Sequence, residues 1–185
     1  MTALVRIHNG LFHGLERLTG AWLLPTLARL VFAGVLLMYF WASAMTKIGD
    51  GILGIVRPDD GAYIQIFPRL IENAGYDFSV LGIYHWFVVL AGTYAEFILP
   101  ALIVIGLFTR LAAIGMIGFI IVQSLTDIVG HHADATTIGT WFDRISDALI
   151  VDQRAFWVFL LLLLVVRGAG PLSVDRFILE KPSEA

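Results

Sequence analysis

Cysteine is absent from this chain. Its absence excludes disulfides, thiol exchange, haem attached through Cys, iron–sulfur ligation and a Cys-based zinc site carried by this chain alone. Charge is scarce too. Charged residues make up 15% of the 185 residues and hydrophobic residues 58%, whereas soluble domains run at ~25% and ~45–50%. With a mean hydropathy of +0.84, the chain is expected in a lipid bilayer. The formal net charge of −3 argues against a nucleic-acid partner. No internal repeat or low-complexity stretch is present.

The N-terminal residues 1–20 lack the continuous apolar core and small-residue cleavage site of a signal peptide. Instead Leu4, Ile7, Leu11, Leu15 and Leu18 recur at helical spacing, with Arg6, His13, Glu16 and Arg17 on other faces. This pattern predicts an amphipathic helix lying in the membrane interface, with packing against a partner subunit as the alternative. The unit over 21–176 is expected to hold four spans, at about 22–45, 84–108, 111–129 and 148–167. Spans two and three are joined so tightly that they must be antiparallel neighbours. The last is the weakest in pattern: its apolar run between Arg154 and Arg167 is twelve residues, or ~18 Å of a ~30 Å hydrocarbon core. It therefore borrows residues 148–151 and shelters Asp152 and Arg154. The expected fold class is all-α, a membrane four-helix bundle with an N-terminal amphipathic interfacial helix and capped outer loops. Those loops are 48–83, with a turn at 58–61 and a short helix over 63–73 ended by Gly75, and 130–147. Residues 177–185 form a tail.

Lys and Arg set the orientation. With four spans the termini share one side, which carries seven basic residues against five opposite, while ten of the 15 acids lie opposite. Both termini, the tail included, are expected in the cytoplasm.

Polar residues inside the spans mark the candidate site. An ionisable residue at membrane depth costs ~2.5–3.5 kcal/mol on insertion scales and is a functional-site hypothesis by default. Glu96 is such a residue, some ten positions into span two. Pro100 has no N–H, so the Glu96 carbonyl one turn back loses its helical partner. Lys47, at the end of span one, shares the outer half of the membrane and can snorkel inward toward Glu96. Arg29, at the opposite end of that span, neutralises an inner-side group instead, and Arg110 is an inside-positive anchor. The alternative for Glu96 is a structural carboxyl hydrogen-bonded to Tyr39, Tyr94 or a basic side chain. At the outer end of span three Gln123, Asp127 and His131 fall at i, i+4 and i+8 and share one face if the helix continues. His132 and Asp134 follow, and His85 lies at the same level on span two. Histidine beside a carboxylate suits proton exchange, and His131 or His132 would also suit haem or a transition metal. Plain interface polarity is the competing reading.

Several of these residues also carry a resemblance. Four spans, Lys47, Glu96, the run Gly106-Leu-Phe-Thr-Arg110 and the segment with Leu172, Ser173 and Asp175 together resemble the DoxX family over most of residues 25–176. That family comprises small four-helix bacterial and archaeal membrane proteins similar to a subunit of thiosulfate:quinone oxidoreductase. The resemblance implies a plasma-membrane subunit of a quinone-linked redox complex in the respiratory chain. Glu96 and Lys47 would be its catalytic residues, and Asp127, His131, His132, His85 and Tyr94 would contribute to quinone binding. A membrane or periplasmic redox partner would supply the redox centre, because the chain has no cofactor motif of its own, and an oligomer or hetero-complex follows. Two other classes stay open: a non-catalytic scaffold or assembly subunit of another membrane complex, and a small-solute transporter. The missing repeat weighs against the last.

Overall fold

A computed structural model describes residues 3–179, and the tail expected over 177–185 lies beyond the described residues from position 180 onward. Among the described residues every regular element is helical. Helix α1 is Ala3–Thr19 and α2 is Leu23–Met45. Two short helices follow, α3 at Asp60–Ile66 and α4 at Pro68–Asn73. Then come α5, Ile83–Ile105; α6, Thr109–Gly130; α7, Ala135–Ile138; α8, Val151–Arg167; and α9, Val174–Leu179.

Three of these, α2, α5 and α6, are long and apolar enough to cross a membrane. At 1.5 Å per residue a 23-residue helix reaches ~35 Å, more than the ~30 Å hydrocarbon core. Most of their length is not buried within the protein: Leu27, Leu30 and Met38 on α2, and Ile114 and Ile121 on α6, are exposed. Apolar side chains turned outward in that way suit contact with lipid. The helices meet around Phe32, Phe40, Ile103, Met116, Leu161 and Leu164. Helix α8 contributes the last two and packs against α6 and α2. Ala28, Ala112 and Ala113 lie in the same core, and small residues of this kind let helix backbones approach closely in a membrane setting.

One end of this assembly collects the start of α2, the end of α5, the start of α6 and the end of α8. The Arg29 guanidinium there donates to the carbonyls of Ile103 (3.0 Å), Val104 (2.5 Å), Ala169 (3.1 Å) and Leu172 (2.5 Å). It thus fastens α2 to α5 and to the segment after α8. Among the described residues no carboxylate is hydrogen-bonded to it; its direct partners are backbone carbonyls, with the Asp175 charge close by. We call this end the collar. Gly106 closes α5 within it at φ +72, and Leu107 N–H returns to Leu102 O at 3.0 Å. A Cβ at Gly106 would stand 2.8 Å from Arg29 Cζ and 2.6 Å from Ser173 Cβ, so both the left-handed backbone and the close approach demand glycine. The Asp175 carboxylate accepts from the amides of Phe108 (2.6 Å) and Thr109 (2.9 Å), capping the start of α6. Arg110 donates to Val166 O at 3.3 Å.

The structure moves several expected boundaries. Span two, expected to 108, stops at Ile105 because Gly106 and Phe108 both take positive φ. Span three, expected over 111–129, begins at Thr109 and runs on through a π turn, Thr126–Gly130. The segment expected from 148 becomes helical at Val151, where the Asp152 carboxylate accepts from Ala148 N–H at 3.1 Å. The single helix expected over 63–73 is two, broken at Phe67 (φ −123, ψ 51). Pro68 follows it, and a residue before proline is driven out of the helical region.

Candidate functional site

At the end opposite the collar, Lys47 follows the last turn of α2 and Glu96 sits in the middle third of α5. Lys47 Nζ is 2.9 Å from Glu96 Oε2 and 3.2 Å from Oε1. Both are buried, with 5% and 3% of their surface exposed. Ser43, one turn before Lys47, completes the group. Its hydroxyl donates to Glu96 Oε1 (3.1 Å), and Lys47 donates to Ser43 Oγ (2.8 Å) and to the Ser43 carbonyl (3.1 Å). Taking two charges out of water costs several kcal/mol per ion, which mutual attraction offsets only when geometry and additional hydrogen bonds are good. Here they are supplied.

The backbone near the pair is also modified. Pro100 stands inside α5 without breaking it, and the Trp41 indole N–H donates to the Phe97 carbonyl at 3.2 Å. A π turn, Ala33–Leu37, interrupts the regular winding of α2; such turns recur beside functional sites.

The ion pair faces a cavity of about 440 Å³ between α5 and α6, within the range of small-molecule sites. Its walls have two characters. Val88, Leu99, Phe119 and Val122 give it an apolar lining, and Ser43, Lys47, Glu96, Gln123, Asp127 and His131 a polar one. Small residues keep it open: a Cβ built on Gly118 meets nothing within 4 Å, and one on Gly92 meets only Ile66 Cδ1 at 3.7 Å. Ala91, Gly118 and Val122 line it and are also exposed on the surface of α5 and α6. The cavity therefore opens sideways, where lipid would lie. Over the other end Gln65 and Ile66 of α3 form a roof, and His131 Nε2 meets Gln65 O at 2.9 Å.

Its electrostatics are balanced. Asp127 also lines the cavity and pairs with the buried Arg154 at 2.5 Å, while Arg154 takes Ser124 Oγ at 2.9 Å. Two cations thus answer two carboxylates. Gln123 Nε2 donates to Tyr39 OH at 3.1 Å, and its Oε1 is buried without a partner among the described residues. An orphaned acceptor of that kind costs ~1–3 kcal/mol unless something fills it. A neutral molecule that combines hydrogen-bonding groups with an apolar body matches this lining.

Of the residues singled out in the sequence, Lys47, Glu96, Gln123, Asp127 and His131 come together at this cavity. His85, His132 and Tyr94 do not line it. The His85 ring accepts from Gly82 N–H at 3.0 Å at the start of α5 and packs edge-on against Phe67. It lies three helical turns, ~16 Å, from Glu96. The Tyr94 hydroxyl donates to Ile55 O at 2.8 Å; two residues from Glu96, it projects ~200° around the helix axis. His132, at φ +53, turns away from His131 and meets Arg69 at 3.0 Å. Among the described residues no three His, Asp or Glu side chains gather as a metal-binding group. Sequence reasoning passed over Ser43, whose signal was its place one turn before Lys47, and Gln65, which only the folding back of α3 brings near.

No family model, curated protein or solved structure matches the chain.

Proposed function

We propose that this chain is the membrane subunit of a quinone-linked redox complex and takes a quinone head group into the cavity beside Lys47 and Glu96. The observation that carries the reading is a buried, hydrogen-bonded ion pair facing a charge-balanced cavity that opens toward lipid. When bound, a quinone supplies two-electron, two-proton redox chemistry, with the electrons exchanged through a redox partner protein. The orphaned Gln123 Oε1 fits a hydroxyl, and the Lys47 ammonium fits a carbonyl oxygen. Lys47 Nζ holds the proton nearest the cavity, Glu96 keeps it there, and Ser43 fixes both. Asp127 and His131 stand between that pair and the outer aqueous phase and suit proton replacement. The apolar wall excludes water and seats an isoprenoid tail.

The same reading assigns α8 as a fourth span and α1 as an interfacial helix. Support for α1 comes from Leu4, Ile7, Leu11 and Leu18, all exposed along one side. Both termini would face the cytoplasm of a bacterial or archaeal cell, and DoxX membership, on the resemblance of Gly106–Arg110 and Asp175, would follow. Purification in mild detergent followed by solvent extraction tests the proposal. Wild-type protein yields bound quinone and the Glu96→Gln variant yields little. Wild-type quinone content and turnover in that variant would sink the role of the pair.

A further inference from the structure

The collar end carries a second cavity, of about 750 Å³, formed where α2, α5, α6 and α8 all stop. It is lined by Trp22 from the start of α2, Thr109 and Arg110 from the start of α6, Arg167 from the end of α8, and Asp175 and Arg176 from α9. Three guanidinium groups therefore border one hollow. The carboxylate among them, Asp175, is spent: its two oxygens accept from the amides of Phe108 and Thr109. Arg110 has one N–H on Val166 O, and its guanidinium lies across Gly168, where a Cβ would come within 3.4 Å of Nε. Gly168, the next residue after Arg167, thus brings the Arg110 guanidinium to the end of α8.

A second observation is independent of the charge. Thr109 is fully buried, at 0% exposure, and its hydroxyl has no hydrogen-bond partner among the described residues, yet it belongs to the wall of this cavity. A buried hydroxyl with nothing to bond is costly, and an oxygen-rich ligand in the hollow would satisfy it. The location narrows the ligand. Three span-capable helices have their ends here, so the hollow stands at the level of lipid headgroups, and Trp22 and Leu111 are exposed at its edge. Arginine forks match phosphate oxygens in pairs, and basic hollows between helix ends take anionic headgroups.

We propose that this hollow binds the phosphodiester headgroup of an anionic phospholipid, held by Arg110 and Arg167 with the Thr109 hydroxyl beneath them. The site is separate from the quinone cavity and does not depend on it. Bound lipid would tie α6 to α8 across the collar.

The test uses delipidated full-length protein in a non-ionic detergent, with thermal unfolding followed as phosphatidylglycerol, phosphatidylcholine or inorganic phosphate is added. Phosphatidylglycerol raises the wild-type Tm in a saturable way, and phosphatidylcholine and inorganic phosphate do not. Arg167→Gln and Thr109→Val lose most of that rise, whereas Arg144→Gln, which removes one charge from the opposite end, keeps it. Native mass spectrometry of the same samples counts the retained lipid, one per chain in wild type and Arg144→Gln. Equal rises with both phospholipids, or an undiminished rise in Arg167→Gln and Thr109→Val, would overturn the proposal. A matching rise with inorganic phosphate would assign the hollow to a free anion and overturn the lipid assignment.

Discussion

Two buried cations stand near opposite ends of α2, and they are satisfied in opposite ways. Arg29 spends its donors on four backbone carbonyls drawn from two separate parts of the chain. Lys47 meets one side-chain carboxylate, one hydroxyl and one carbonyl beside a cavity. Backbone acceptors cannot ionise or move away, so the Arg29 arrangement is a fixed joint. The Lys47 arrangement has a side-chain partner and open space beside it, which the proposed reading requires for proton exchange. A buried charge thus reads as architecture when its partners are backbone, and as chemistry when its partner can titrate and open space adjoins it.

The contrast can be broken from either side. Arg29→Met should have the largest effect, because it strips the donor from the Val104, Ala169 and Leu172 carbonyls at ~1–3 kcal/mol each, and leaves Ile103 O only the Gly106 N–H. No single compensating side chain restores them, and denaturation in detergent should find the variant largely unfolded. Glu96→Leu should cost ~3–5 kcal/mol by leaving Lys47 buried and unpaired. Here a second substitution does compensate: Lys47→Met with Glu96→Leu should recover most of the stability while quinone retention stays lost. Stability should thus be recoverable by a second substitution at the Lys47 end and not at the Arg29 end. Gly106→Ala should destabilise by more than ~1 kcal/mol, since alanine is disfavoured at positive φ, and its Cβ would press on Arg29. Unfolding midpoints measure this loss, which should leave quinone content per folded protein unchanged.

The smallest effect lies in the loop beyond the cavity. The Asp134 carboxylate accepts from the amides of Thr136 and Thr137 and from both hydroxyls. These bonds, the Thr136 hydroxyl foremost, hold its carboxyl well below the usual carboxylate range. A lowered native value means that the cap's contribution is complete above the unfolded value of ~3.9. It is lost only as pH falls below that toward the lower native value. Amide protection factors in 134–138, taken relative to the intrinsic exchange rate at each pH, should therefore be flat from neutral pH down to ~4.5 and fall only below.

Much of this fold was legible because its signals are local. The long apolar runs of α2, α5 and α6 declare themselves, and Gly106 with its following turn separates the last two. Glu96 was visible as a carboxylate in an apolar run, and the i, i+4, i+8 spacing put Gln123, Asp127 and His131 on one wall. What stayed hidden depends on rotation and on distant chain. Tyr94 and His85 share a helix with Glu96, but one faces elsewhere and the other lies three turns away. The Arg29 joint could not be read, because its acceptors are backbone atoms that carry no residue signature. The Asp127–Arg154 pair joins α6 to α8 across residues that no spacing rule links.

Quinone retention in Gly118→Leu reads the occupancy of the cavity apart from the ion pair. Gly118 lines the cavity at its lateral opening, and a side chain starting there meets nothing within 4 Å, so leucine should obstruct the opening while Lys47, Glu96 and the collar stay as they are. The expected result is a folded protein, with an unfolding midpoint close to wild type, that extracts with little or no quinone. A folded Gly118→Leu protein that keeps the wild-type amount would contradict it.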